Sequence, residues 1–569
     1  MKTDTMARRR QTFVALVLAA VAVAGLASLT ASAAGAAGKS ESVITVGTTT
    51  DEFPPVLNMI TPEGNGQWTG MIVGPALARG YKLLPDFSYQ PWIFDKDCTV
   101  PSISPFTVDC TIRPDAKWSD GVPITADDFK FTYETIMDKK NNVVTRNGYD
   151  KIREFNVISP TEFQMVFEEI FAPYRDLWAS TSTVVLPKHI LEGTDFNKVW
   201  NNCICDPKTK KPIASGPMMV QSFSPGHQVT LVPNKNYWGK KATVSKVVFV
   251  PTGDSEVNAF RAGEVDMIYP QNQIGLRKRI ESADGAKYAS SLGPQWEHFD
   301  MLTTVPGLDD LAVRKAIATA MPRQQIVDRV VKDANANASV LDNTMWMTNQ
   351  AAYQPNWNIY PASGDVNAAN QMLDAAGWTR GPDGVRQKNG VKLAFTVGTT
   401  TGNQARELSE QIMQAQFKKI GVKLTIKNAP DMLDTKIVGF DYQTILFAWV
   451  GSPDPYSNNV IWLSGAIPQK CSPRLARAQE CDYSGLNYTK LRDPALDEIL
   501  NATDREPDAA KRAALYNQAD VQLAQNDVTT IPLFQKPTQL GYRNTITGVR
   551  DNPTVDGFTW NIEDWAVRS

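Results

Sequence analysis

At 569 residues and 42% hydrophobic, the chain is long enough to bury more than one core, because single cores stop growing near roughly 250 to 300 residues. Its formal charge is −2, and residues 1–38 carry +3 of that balance, so the remainder stands at −5 and offers no basic stripe for nucleic acid. Only three histidines are present, His189, His227 and His298, and no G-x-S-x-G, H-E-x-x-H or G-x-x-x-x-G-K-[ST] motif occurs, which argues against an enzyme, a metal centre and a cofactor.

Residues 1–38 combine a basic start, an apolar run from Phe13 to Leu29 and a tail of small residues from Ala31 to Gly38, the pattern of an export signal with an A-x-A cleavage site. Cleavage is expected between Ala34 and Lys39. Uncleaved, the run would make a marginal membrane span, since spans need roughly 17 to 25 apolar residues. Arg9-Arg10 hints at twin-arginine export, but Thr12 interrupts the apolar positions expected after it.

A strand signal at Ser42 to Thr48 runs into Thr49, Thr50 and Asp51, which sit where α/β clefts open; a solvated turn is the alternative. Gly64-Asn-Gly-Gln-Trp68-Thr-Gly70 superficially resembles a nucleotide loop, but its spacing is wrong and no helix clearly opens on it. Short strands and turns fill residues 85–212. Within them, Thr111 to Phe129 reads as a strand and an Asp-Gly turn leading into a helix, with Thr125 as N-cap and Asp128 completing a capping-box pair. Asp127-Asp128 and Asp309-Asp310 both fall at helix starts, where negative charge suits the dipole better than it suits acid–base chemistry.

Residues 214–270 read as an ordered series. Two alternating runs, Met218 to Phe223 and Gln228 to Val232, flank the turn Ser224-Pro-Gly-His227. A third strand spans Lys246 to Pro251, Asp254 or Ser255 caps a short helix closed by Gly263, and Glu264 to Tyr269 reads as the next strand.

Helices and strands then alternate: helices at Leu311 to Ala320 and Val366 to Ala376, a strand at Lys392 to Val397, a helix at Gln404 to Ile420 and a strand at Val422 to Lys427. Tyr442 to Trp449 follows as a buried strand and Ala509 to Gln525 as a helix, and after Ile531 the chain is expected to return to its first half. Six cysteines in an exported chain suggest disulfides, with 15 possible connectivities. Loop closure favours Cys98 with Cys110 and Cys471 with Cys481, whereas Cys203 and Cys205, two residues apart, leave either sulfur open to another partner.

The 214–270 series, Thr111 to Phe129, Asp310-Leu-Ala-Val-Arg-Lys-Ala-Ile-Ala-Thr-Ala, Asn367-Ala-Ala-Asn-Gln-Met-Leu-Asp-Ala-Ala-Gly-Trp and Ile531-Pro-Leu-Phe-Gln together resemble the family-5 extracellular solute-binding proteins, receptors of oligopeptide and dipeptide ABC importers. The resemblance implies an α/β, periplasmic-binding-protein-like fold of two hinged lobes with an extra subdomain on the first. Lobe I would comprise 39–295 plus 535–569, with the subdomain at 85–212, and lobe II 296–534. It also implies an exported monomer, at the outer face of the membrane or in the periplasm, that delivers a captured solute to ABC permease subunits. Gram-positive relatives are mostly lipoproteins whose leader ends at a cysteine, but the first cysteine here is Cys98.

Trp449-Val-Gly-Ser-Pro-Asp-Pro-Tyr456 resembles the family's cleft loop, in which an acidic residue pairs with the α-ammonium of a peptide. Here that position falls on Gly451 or Ser452, and Asp454 is either its substitute or a loop-structuring residue. Trp68, Trp296, Trp346 and Trp449 are aromatic candidates for ligand contact, each with a core role as the alternative. A short peptide is the first expectation for the ligand. A sensed signal peptide or a sugar is the alternative.

Overall fold

Two β-sheets, each backed by its own hydrophobic core, are joined where a pair of adjacent strands leaves one and enters the other. The computed structural model describes residues 42–568 apart from 181–182, 254 and 469–484. The expected export leader at 1–38 and the expected Cys471–Cys481 pair lie outside the described residues.

The first sheet has seven strands in the order Ala286–Ala289, Leu540–Arg543, Met267–Ile268, Val43–Thr48, Lys246–Pro251, Gln228–Pro233 and Met218–Ser224. Val43–Thr48 lies parallel to both of its neighbours, so it is covered on two faces, and Ile44 and Val46 are fully buried. The hairpin and the Lys246–Pro251 strand form as the alternation predicts. The helix Glu256–Ala262 begins at Ser255, whose side chain accepts from Asn258 N–H, and stops at Gly263, whose φ of 81° suits a residue without Cβ. The strand expected over Glu264 to Tyr269 pairs only at Met267–Ile268.

A four-stranded antiparallel sheet, Thr99–Ile103, Phe106–Thr111, Glu162–Phe167 and Ile152–Ser159, packs with the first core. Cys98 and Cys110 are bonded, with Cα atoms 4.5 Å apart, and staple its first hairpin. Cys203 and Cys205 are bonded to each other rather than to other partners. The helix Ala126–Met137 carries the expected capping box, Asp128 accepting from Thr125 N–H at 2.9 Å. Buried Arg79 pairs with buried Asp556, which also accepts from Leu83 N–H at 2.7 Å, so the C-terminal segment is tied into this core.

The second sheet has five strands: Lys423–Ile426, Ala394–Gly398, Thr444–Val450, Leu292–Met301 and Thr530–Pro537. Ala394–Gly398 is parallel to both neighbours, and the helix Gln404–Lys419 provides the crossover. Gly421, at φ 76°, turns the chain from that helix into its strand. Asp310 caps the helix Leu311–Ala320 by accepting from Ala312 N–H at 2.9 Å, and also accepts from the Trp378 indole at 3.0 Å. Among the described residues, no helix is long and apolar enough to cross a membrane.

The chain leaves the first sheet after Ala289, enters the second at Leu292, and returns between Pro537 and Leu540. These two passages are neighbours, with Leu292 opposite Pro537 in the ladder. The Thr530–Pro537 strand therefore stays in the second sheet for six residues beyond Ile531, because its backbone groups are matched by Leu292–Met301.

Candidate functional site

A cavity of about 320 Å³ opens beside the two passages. Gly293, Pro294 and Gln295 wall it from one passage and Lys536, Pro537 and Thr538 from the other. Tyr269 to Asn272 reach it from the carboxyl end of Met267–Ile268, and Val450 from the carboxyl end of Thr444–Val450. Ligands of α/β proteins commonly bind at such strand ends. Val450 and Val555 are 52% and 43% exposed although apolar, so they give the cavity two hydrophobic contact points.

The Gly-rich loop contributes Asn65, Gly66, Gln67 and Gly70. The helix expected to follow this loop at Gly70 opens within it instead, running from Gln67 to Val73 with Gly66 extended as its N-cap. Trp68 anchors it. The indole N–H donates to Glu52 Oε2 at 3.1 Å and the ring meets Phe558 edge-on, which orients Gln67 and Gly70 to the cavity. Glu52 also accepts from Gln271 Nε2 at 3.1 Å, linking the loop to the strand end opposite.

Lys536 is the one formally charged residue among the described lining residues. Its Nζ stands 3.5 Å from Glu297, on the strand Leu292–Met301. Glu297 is in turn held by Arg406 from the crossover helix, Nε to Oε2 and Nη2 to Oε1 both at 3.0 Å. Burial raises the Glu297 pKa, but the charges of Arg406 and Lys536 outweigh it and hold the carboxyl below its ordinary range. The group stays ionised. A small adjoining void of about 20 Å³ is lined by the same three side chains and Asn272.

None of the ten ligand candidates drawn from the sequence is among the described residues lining this cavity. Thr49 is half-buried, Thr50 and Asp51 are exposed, and Thr50 N–H donates to Gly253 C=O at 3.1 Å, an arrangement that fits a turn. Trp296 is 1% exposed in the second core, and Trp346 packs edge-on against Tyr516 there. Trp449 sits opposite Trp296 in the ladder and stacks nearly parallel to both His298 and Tyr488. Gly451 N–H donates to Pro294 C=O at 2.8 Å, and Ser452 C=O accepts from Gln350 at 3.0 Å. Asp454 is buried against Arg512 at 2.9 Å and accepts from Tyr456 N–H at 3.1 Å, which places its carboxylate in the loop's own framework.

The residues that do wall the cavity are immediate neighbours of several candidates: Gln67 of Trp68, Gln295 of Trp296, Val450 of Trp449. Trp68 and Trp296 turn into a core and half-buried Trp449 packs against one, while the adjacent residue lines the opening. Lys536 directly follows Ile531-Pro-Leu-Phe-Gln, so the motif ended one residue short of the site's only cation among the described lining residues.

The model of bacterial extracellular solute-binding proteins, family 5, matches residues 77–469, and the chain belongs to that family. The oligopeptide-binding protein AppA of Bacillus subtilis is 25% identical over 478 residues, spanning 80% of this chain and 80% of its own. Among solved structures, the periplasmic EDTA-binding protein EppA superimposes with a TM-score of 0.77 at 24% identity, covering 93% of this chain and 97% of that one. AppA of Bacillus subtilis in complex with a nonapeptide superimposes with a TM-score of 0.66 at 21% identity, covering 93% and 100%.

Proposed function

We propose that this chain is the extracellular substrate-binding component of an ABC importer, capturing a short peptide or similar small solute and handing it unchanged to permease subunits in the membrane. The observation that carries the reading is the position of the cavity: the two segments that link the sheets are themselves its walls. In this reading the first sheet with its subdomain and the second sheet are two lobes, and the linking segments are the hinge. A solute that touches Tyr269 to Asn272 on one side and Val450 on the other favours the closed arrangement by its differential affinity. The permease then recognises the closed form.

The relatives that match along the chain are named as binding proteins, which supports a carrier rather than a catalyst. Export through the leader, action as a monomer and the absence of turnover belong to the same proposal. Thermal unfolding with and without a mixture of short peptides tests it, because a ligand that binds only the native state raises the midpoint. Small-angle scattering on the same samples should show a smaller radius of gyration with ligand. Curves that superimpose for every solute that raises the midpoint would count against lobe closure.

A further inference from the structure

We propose that the cavity recognises its solute through an anionic group, a carboxylate in the first instance, set against Lys536 Nζ, and that no side-chain carboxylate in its wall grips a cationic end. The proposal rests on the solute-capture reading above and specifies its ligand chemistry. The lining is otherwise uncharged among the described residues. The acids just behind it are each engaged elsewhere: Glu297 by Arg406, Glu52 by the Trp68 indole and Gln271, and Asp551 by the Thr538 hydroxyl. Asp454, the acidic residue within the loop that the sequence singled out, is paired with Arg512 and is absent from the described lining.

Charge balance makes Lys536 the exception in this group. Arg406 meets both oxygens of Glu297 in a two-point contact, so one negative charge is matched by one positive charge. Lys536 adds a second positive charge to the same carboxylate from 3.5 Å, at longer range, and the trio carries a net +1. The lysine side chain is 20% exposed, so its ammonium is partly stripped of water, and Lys536 lines both the cavity and the small void beside Glu297. Carboxamides of Asn65, Gln67, Asn272 and Gln295 stand around that opening as neutral donors and acceptors. Such a lining rewards an anion and offers an ammonium group no charged partner. A peptide's terminal carboxylate and the carboxylates of a non-peptide chelator present the same chemistry.

The test uses the purified protein, thermal shift and calorimetry, and four probes: a tripeptide mixture with free carboxyl termini, the same mixture amidated, the same mixture N-acetylated, and Fe(III)-EDTA with citrate as non-peptide carboxylates. Free and N-acetylated peptides should bind alike, and amidation should weaken binding by about 10- to 100-fold, the range for losing a charge-assisted hydrogen bond. Lys536→Met should reproduce the loss for any carboxylate probe, while Lys536→Arg should retain most of the affinity. The comparison of free with amidated peptides needs no variant, so misfolding of Lys536→Met leaves the test intact.

Equal binding of amidated and free peptides, or unchanged affinity in a folded Lys536→Met protein, would overturn the carboxylate assignment while keeping peptide capture. Binding of Fe(III)-EDTA or citrate without any peptide would keep the carboxylate assignment and overturn the peptide reading. No shift with any carboxylate probe would overturn the assignment made here.

Discussion

Arg406 embraces the carboxylate of Glu297 with two guanidinium nitrogens, and both side chains are nearly inaccessible to solvent. Removing one partner of such a buried pair leaves an uncompensated charge and costs about 3 to 5 kcal/mol. Arg406→Met should therefore lower the unfolding free energy by about that amount in a urea titration. The double change Glu297→Met, Arg406→Met should recover much of it, because two apolar groups replace a pair that was expensive to desolvate. A single variant as stable as the parent would mean that Lys536 alone satisfies Glu297.

Asp454 and Arg512 make a second buried pair, and here stability and binding should separate. Asp454→Ala strips Arg512 of its charged partner and the 3₁₀ helix Pro455–Ile461 of its N-cap, so a loss of about 3 kcal/mol or more is expected. Affinity for any solute that binds the parent should change little at a temperature where the variant is folded. Calorimetry showing a large affinity loss in a folded variant would return Asp454 to the ligand contacts.

Stability should rise as the solution is taken from pH 8 to about 5. Burial pushes the Asp176 carboxyl up to about 7, against the hydrogen bond it accepts from the Tyr89 hydroxyl, with Asp454 adding to the rise and Arg512 and Arg175 opposing it. Burial likewise raises Glu410 and Asp527 to about 7 and Asp504 and Asp520 to about 6. A raised carboxyl means that the fold binds the proton more tightly than the unfolded chain. Its contribution is complete below the ordinary carboxyl range near 4 and disappears as pH climbs through 6 to 7. Glu297 is held low and works in the opposite sense only at more acidic pH. A Tm profile from pH 4 to 9 checks the direction, and Asp176→Asn should flatten part of the slope.

Gly293 gives a geometric prediction for the passage between the sheets. A Cβ there would lie 2.9 Å from the backbone oxygen of Lys536, on the neighbouring passage, and backbone can yield only by parting the two strands. Gly293→Ala should cost about 1 to 3 kcal/mol as overpacking and should weaken ligand binding as well, since both strands wall the cavity. An unaltered Tm would show that the strands part without penalty.

The local devices were legible in the sequence because they depend on residues close together in the chain. Thr125 with Asp128, Ser255 with Gly263, and Asp310 before Leu311–Ala320 all cap as their chemistry dictates. The site was not legible in the same way. Trp68, Trp296 and Trp449 are conspicuous by size, but large rings are drawn into cores, and which of two adjacent residues faces an opening depends on strand pairing that no local signal encodes. Glu297 meets Arg406 across 109 residues, and only the folded ladder brings Lys536 to them. The early start of the helix at Gly66 was hidden because its anchor, the Trp68–Glu52 hydrogen bond, spans a loop.

Leu292 and Pro537 face each other across one ladder, so everything between them starts and finishes at nearly the same point in space. Topologically, residues 292–537 are a cassette threaded through a single doorway in a protein whose seven-stranded first sheet is built entirely from residues outside it. Cassettes from relatives that keep the contacts crossing to the host, such as Tyr456 against Phe171 and Asn349 donating to Pro85 C=O, could be transplanted through that doorway with two splices, carrying a different solute preference with them.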